Sequence, residues 1–225
     1  MTVGTVQDMK SLQDLLYEKK AGIAYVTINR PQAMNALSRT ALDELRSVME
    51  DAREDPVVQG VIVTGAGDKA FVTGADITEI ASTSAIDAQA FTRSGRLAFD
   101  LIEHLGKPVI AAVNGFASGV GCELAMACTL RLATAHARFG RPEAKAGFVY
   151  GFGGTQRLLR LVGKGRALQL ILTADTIDAT EAHRNGLVNE IVDAGQLILR
   201  AETILGRMGL NNAAPSAGTP RSRAM

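Results

Sequence analysis

The 225-residue chain has no tryptophan, and aromatic residues make up only 4% of it. Stacking platforms for single-stranded nucleic acid are therefore poorly supplied. Neither sign of charge is in excess: 24 Lys and Arg stand against 23 Asp and Glu, a net charge of +1. Such a balance does not suggest nucleic acid or an anionic membrane as the main partner. There are two cysteines, Cys122 and Cys128, on one expected helix with their side chains on different faces. This argues against a disulfide, and no metal-ligand spacing is present, so the expectation is a reduced, cytoplasmic protein without a metal. No run reaches the ~18 apolar residues of a membrane span. The N-terminal M-T-V-G-T-V-Q-D-M-K lacks an apolar signal core. Three histidines, His104, His136 and His183, lie scattered without a triad partner and read as surface or capping residues.

Familiar glycine signatures are missing too. After Gly119 and Gly121, a dinucleotide fingerprint would need Gly at the position held by Leu124. Lys164 is followed by Gly165, which breaks the phosphate-loop pattern, and Phe116 stands where a serine-hydrolase elbow needs glycine before Ser118.

What is there is an ordinary globular composition, 47% hydrophobic and 21% charged. The length suits one domain, able to bury roughly 70% of its unfolded surface. Residues 1–10 read as a loose leader, 11–192 as the core domain, 193–210 as the start of a helical C-terminal region and 211–225 as a disordered tail. Residues 12–18 and 22–29 alternate well enough for a hairpin that ends at Arg30-Pro31. Ser38 caps a helix to about Arg53, with Leu42, Leu45, Val48 and Met49 on one face. Strands are expected at 57–64, 108–113, 130–134, 137–139 and 187–192. Helices are expected at 86–105, 122–128, 154–161, 164–172 and 194–208. Asp178 with Glu181 forms a capping box, and Asn185-Gly186 closes that helix. Strands alternating with helices make the class α/β.

The centre of the chain is N-G-F-A-S-G-V-G at 114–121, with Glu123 two residues beyond. An apolar strand leads in and a small-residue helix leads out. Three glycines, Gly115, Gly119 and Gly121, bring the backbone close to something. A strand, a glycine turn and a helix start together aim N–H groups at one point, which suits a developing negative charge. Tight strand–helix packing without a ligand is the alternative reading. Two acids stand out. Glu123 is flanked by Cys122, Leu124, Ala125 and Met126, and a buried carboxylate needs a reason. Glu143 follows Pro142 at another turn. Two carboxyls in one partly apolar pocket push their pKa values apart, giving one acid and one base.

Five segments carry a resemblance: T-I-N-R-P-Q-A-M-N-A-L (27–37), A-F-V-T-G-A-D-I (70–77), K-P-V-I-A-A-V-N-G-F-A-S-G-V-G-C-E (107–123), F-G-R-P-E (139–143) and G-F-G-G-T-Q-R-L (151–158). In order and spacing they resemble the enoyl-CoA hydratase/isomerase, or crotonase, superfamily, over about residues 12–208. The resemblance implies a spiral of ββα units forming two roughly perpendicular sheets, assembled as trimers or paired trimers. It implies an acyl-CoA thioester as substrate and no cofactor, in fatty-acid or related acyl-CoA degradation. By the same resemblance the N–H groups of Ala75 and Val120 match an oxyanion hole, and Glu123 and Glu143 match the paired acids of hydratases. Gly151 matches a backbone donor. Ala36, Leu37, Ala75, Asp76, Ile77 and Thr78 match the path of the CoA moiety; Gly119, Val120 and Pro142 complete the substrate-facing set. Val120 stands where most members carry glycine, Thr129 where Asp is common, and Tyr150 where Pro is usual. Having both acids favours hydration. Isomerisation, other enolate chemistry such as dehydration or thioester hydrolysis, and non-catalytic acyl-CoA binding are the alternatives.

Overall fold

The computed structural model describes residues 12–76, 78, 79, 84–141 and 151–212. The hairpin is present: β1 (Leu15–Lys20) and β2 (Ile23–Ile28) pair antiparallel, Leu15 opposite Ile28. Ala21 (φ 51°) and Gly22 (φ 79°) form its two-residue turn, with the left-handed backbone that matches strand twist. Pro31 opens a 3-10 turn and stops the ladder. α1 (Arg39–Glu54) starts at Ser38, whose hydroxyl accepts from Ala41 N–H, and it buries Leu42, Leu45, Val48 and Met49 as expected.

The chain then runs β3 (Gly60–Gly65), β4 (Ala70–Val72), α2 (Ala85–Glu103), β5 (Val109–Val113), β6 (Phe116–Ser118), α3 (Val120–Ala127), β7 (Leu130–Ala133) and β8 (Arg138–Gly140). After residue 150 come α4 (Gly154–Val162), α5 (Lys164–Thr173), β9 (Thr176–Asp178), α6 (Ala179–Arg184), β10 (Glu190–Ile191) and α7 (Leu197–Asn212).

Two sheets result among the described residues. One has the order β1-β2-β3-β5-β7-β10 and the other β4-β6-β8-β9. Successive strands alternate between them: β3, β5 and β7 lie in the first, β4, β6 and β8 in the second. Helices follow β4 and β6, so each turn of a spiral adds one strand to each sheet. All pairings are parallel except β1 with β2 and β8 with β9, as crossover connections require.

The six-stranded sheet is covered on both faces, which is why its central strands read as unbroken apolar runs. Along β5, Val109, Ala111 and Val113 enter the main core, while Ile110 and Ala112 face the opposite way. There they meet Leu197, Ala201 and Leu205 of α7.

Several boundaries differ from expectation for local reasons. β4, β6 and β9 have three residues each, too short to show alternation, and stand where no strand is expected, β4 in place of a glycine turn at 70–77. The expected strand at 187–192 shrinks to β10, because the N–H groups of Leu187 and Val188 both turn back to Ala182 O. α3 starts at Val120, not Cys122, since Gly119 (φ 56°) serves as its cap. α7 extends to Asn212, two residues into the stretch expected as a tail.

Candidate active site

Two glycine turns leave the four-stranded sheet side by side. The first follows β6. Gly119 donates its N–H to Gly140 O (2.9 Å), which ties the turn to β8. Val120 is then the first residue of α3, so its N–H has no acceptor within the helix. Gly121 packs directly on β4: a Cβ there would sit 1.8 Å from Val72 O, so only glycine fits.

The second turn follows β4. Gly74 has φ 138°, open essentially to glycine alone. A Cβ on Gly74 would lie 4.0 Å from Ser118 O, so the two turns are neighbours. Ala75 bridges to Leu37: Leu37 N–H donates to Gly74 O (2.8 Å) and Asp76 N–H donates to Leu37 O (2.9 Å). That bridge uses the groups on either side of Ala75 and leaves its own N–H outside.

Segment 30–37 therefore forms one wall. Met34 (φ 51°) and Asn35 (φ 58°) are successive left-handed residues. Asn35 sustains the bend, as it is buried, accepts from Arg30 N–H (3.0 Å), and donates to Ala66 O (2.9 Å) and Ala70 O (2.8 Å). Thr73 donates its hydroxyl to Met34 O (3.0 Å). Arg30 spans the wall, donating to Ala36 O (2.5 Å) and to the Asp76 carboxylate (2.9 Å), with Asp14 3.3 Å from its Nε. The Arg30 guanidinium holds the Asp76 carboxyl below the usual carboxylate range, against a smaller upward push from burial. Asp76 also accepts from Thr78 N–H (3.1 Å).

Glu123 lies one turn into α3 and is completely buried. Its Oε1 accepts from Gly154 N–H (2.7 Å) and Phe152 N–H (3.3 Å), at the start of α4. A carboxylate at a helix N-terminus meets both the exposed N–H groups and the positive dipole end. Its Oε2 lies 3.1 Å from Arg141 Nη1. A Cβ on Gly154 would come within 2.4 Å of Glu123 Cγ, so that glycine makes room for the acid. Burial of this charge is thus met by a counter-ion and two main-chain donors.

A match to the model of the enoyl-CoA hydratase/isomerase family spans residues 18–217. The chain belongs to the enoyl-CoA hydratase/isomerase family. It is 50% identical over 196 residues to a crotonyl-CoA hydratase of Syntrophomonas wolfei, covering 87% of this chain and 75% of that protein. It is likewise 50% identical over 200 residues to a short-chain-enoyl-CoA hydratase of Clostridium acetobutylicum, covering 89% and 77%. Among solved structures, an enoyl-CoA hydratase from Bacillus anthracis superposes with a TM-score of 0.85 at 37% identity, covering 88% of this chain and 77% of that one. DspI of Pseudomonas aeruginosa gives 0.85 at 36%, covering 90% and 78%.

Of the positions singled out in the sequence, the structure brings together Ala36, Leu37, Ala75 and Asp76 in one wall. Gly119, Val120 and Glu123 stand at the start of α3. Thr78 follows the first wall, hydrogen-bonded to Asp76. Gly151 lies just ahead of the Glu123-binding main chain, against Thr92. Ile77, Pro142, Glu143 and Tyr150 lie outside the described residues. Thr129, where the family commonly has Asp, accepts from Val109 N–H (3.1 Å). The histidines close turns and helix ends: His104 and His183 bond Asp100 O and Val188 O, and His136 bonds Asn114 O. Both cysteines are buried free thiols, and burial pushes Cys128 up to about 12. Among the described residues no three potential ligands gather to hold a metal ion, and no helix is long and apolar enough to cross a membrane.

Sequence reading passed over Arg30, Asn35 and Arg141. All three lie inside quoted motifs, beside a Pro or in the bend. The available signal was a charged or amide residue in an otherwise small-residue stretch.

Proposed function

We propose that this protein hydrates short trans-2-enoyl-CoA thioesters to 3-hydroxyacyl-CoA. Fully buried Glu123, ionically held beside the Val120 turn, is the observation that carries the reading. A fully buried carboxylate beside a turn of main-chain donors is a candidate for handling a proton. The N–H groups of Ala75 and Val120 together hold the thioester oxygen. As water adds to the β-carbon, the C=C π electrons move toward the carbonyl and that oxygen gains negative charge. Fixed donors there are worth most at that moment. Glu123 and Glu143 divide the proton work: one carboxylate takes a proton from the attacking water, and the other carboxyl delivers one to the α-carbon. The sum is addition of water, with C–O and C–H bonds formed and no net redox change. Gly151 and the 36–37 and 75–78 segments position the thioester and its CoA tail. The active species is a trimer or a pair of trimers, checked by light scattering.

Following the 2-enoyl thioester chromophore after adding protein tests the activity. Rapid loss of absorbance, with product heavier by one water, is expected. A rate equal to that in buffer overturns the reading. Glu143→Gln is expected to abolish turnover.

A further inference from the structure

Ala75 N–H is a donor on a turn that its own backbone does not fix. Gly74, immediately before it, sits at φ 138° with nothing nearer than 4.0 Å to where a Cβ would be. A glycine with such freedom cannot orient the next peptide plane. Orientation must come from outside, and the structure supplies it on both sides of Ala75. Gly74 O and Asp76 N–H are tied to Leu37. The Asp76 side chain is tied to Arg30, which at the same time grips Ala36 O.

We infer that the Arg30–Asp76 ion pair positions the Ala75 donor and screens it from a neighbouring negative charge. This rests on the proposed hydration, in which Ala75 N–H meets the thioester oxygen. Two effects are separable. Leu37 N–H fixes the peptide plane that carries the donor, through Gly74 O, and the pair ties wall 30–37 to the residue after it, so the pair keeps Leu37, and with it the donor, in place. Arg30 also neutralises a carboxylate one residue away from the place where enolate charge develops. Without Arg30 that carboxylate would oppose the transition state. Two other acids are nearby. Asp14 lies 3.3 Å from Arg30 Nε and accepts from the Ser38 hydroxyl, so it shares Arg30 with Asp76. Glu79 accepts from Arg39 N–H (3.0 Å), with the Arg39 guanidinium 3.8 Å away. Glu79 is thus engaged by Arg39, and Arg30 serves Asp76 and Asp14.

The two effects predict an asymmetry. Asp76→Asn keeps the shape and loses the pair; Arg30→Met loses the pair and leaves both Asp76 and Asp14 without Arg30. Arg30→Met should therefore be the worse variant, and adding Asp76→Asn to it should restore activity in part, to near the Asp76→Asn level, with Asp14 still lacking Arg30. A purely structural tie gives no such rescue. Positional errors of about 1 Å at a reacting group can cost on the order of 100-fold. We expect kcat to fall about tenfold for Asp76→Asn and about 100-fold for Arg30→Met, with the double variant near the first. Arg30→Lys should lie closest to the wild type.

A second readout does not depend on turnover. 4-Dimethylaminocinnamoyl-CoA absorbs further to the red when its thioester carbonyl is polarised. Its red shift on the wild-type protein should shrink in Asp76→Asn and Arg30→Met and return in part in the double variant. If the wild type hydrates and gives the red shift, but Asp76→Asn keeps both undiminished, the inference is overturned and the proposed function stands. If the wild type does neither, both are overturned. Should Arg30→Met fail to fold, the isosteric Asp76→Asn decides alone.

Discussion

The two glycine turns offer the same chemical group, a main-chain N–H, but they are held in opposite ways. The Gly119–Val120 turn is fixed by packing. It is closed by a hydrogen bond to β8, starts a helix whose Gly121–Ala127 residues are all buried, and abuts β4 so closely that Gly121 has no room for a methyl group. The Gly74–Ala75 turn is fixed by polar ties to a separate segment, through Leu37, Thr73 and the Arg30–Asp76 pair. Packing gives a donor that is rigid and intolerant of substitution. Polar ties give one that can be loosened in steps. In the proposed reaction, a carbonyl oxygen that must enter, gain charge and leave would thus meet one fixed point and one adjustable one.

The largest expected effect breaks the packed turn. Gly121→Ala must displace the β4 backbone, and overpacking costs about 1–3 kcal/mol, here at the upper end because the obstacle is a carbonyl. Urea denaturation should show that loss together with loss of activity. Gly74→Ala has space but the wrong backbone conformation, so it should cost less, about 1–2 kcal/mol. Equal costs for the two would erase the contrast.

Next comes Asn35, the hinge of the wall. Asn35→Ala takes the side-chain donor from Ala66 O and leaves Ala70 O with only the longer contact from Asn114 (3.4 Å), and should cost about 1–2 kcal/mol by the same measurement. Asn35→Gly recovers the backbone strain but not the hydrogen bonds, and should not restore stability. Smaller still, Thr73→Val removes one bond to Met34 O, about 1 kcal/mol.

How far this was legible in the sequence follows from the same contrast. The packed turn was readable, because close backbone approach demands glycine and a buried acid stands out among apolar neighbours. The α/β class and the two-faced strands were readable from periodicity. The polar ties were not. Arg30 lies 46 positions from Asp76, and Arg141 lies 18 from Glu123, on different elements. Nothing local in an arginine names its partner. Strands of three residues, such as β6 and β9, are likewise defined by their neighbours and not by their own pattern.

Acid should reveal the ionic ties as a group. Asp76, Asp55 and Glu190 are all held below their ordinary values of 3.8, 3.8 and 4.5, chiefly by Arg30, Lys19 and Arg200. A carboxyl with a lowered folded value binds fewer protons folded than unfolded. Its contribution is therefore complete above its ordinary value and is lost as pH falls through the lowered one. Melting temperature should be level above about pH 5.5 and drop below about pH 4.5. In Asp76→Asn part of that acid-side drop should disappear.

Glu123 is the buried acid beside the packed turn. Steady-state hydration of crotonyl-CoA by the wild type and by Glu123→Gln, each confirmed as folded by its melting curve, tests its proposed proton role most directly. The wild type should turn over at enzymatic rates, and the variant should lose about 100- to 10,000-fold in kcat, the range for removing a general acid or base. A folded Glu123→Gln protein as active as the wild type would contradict that role.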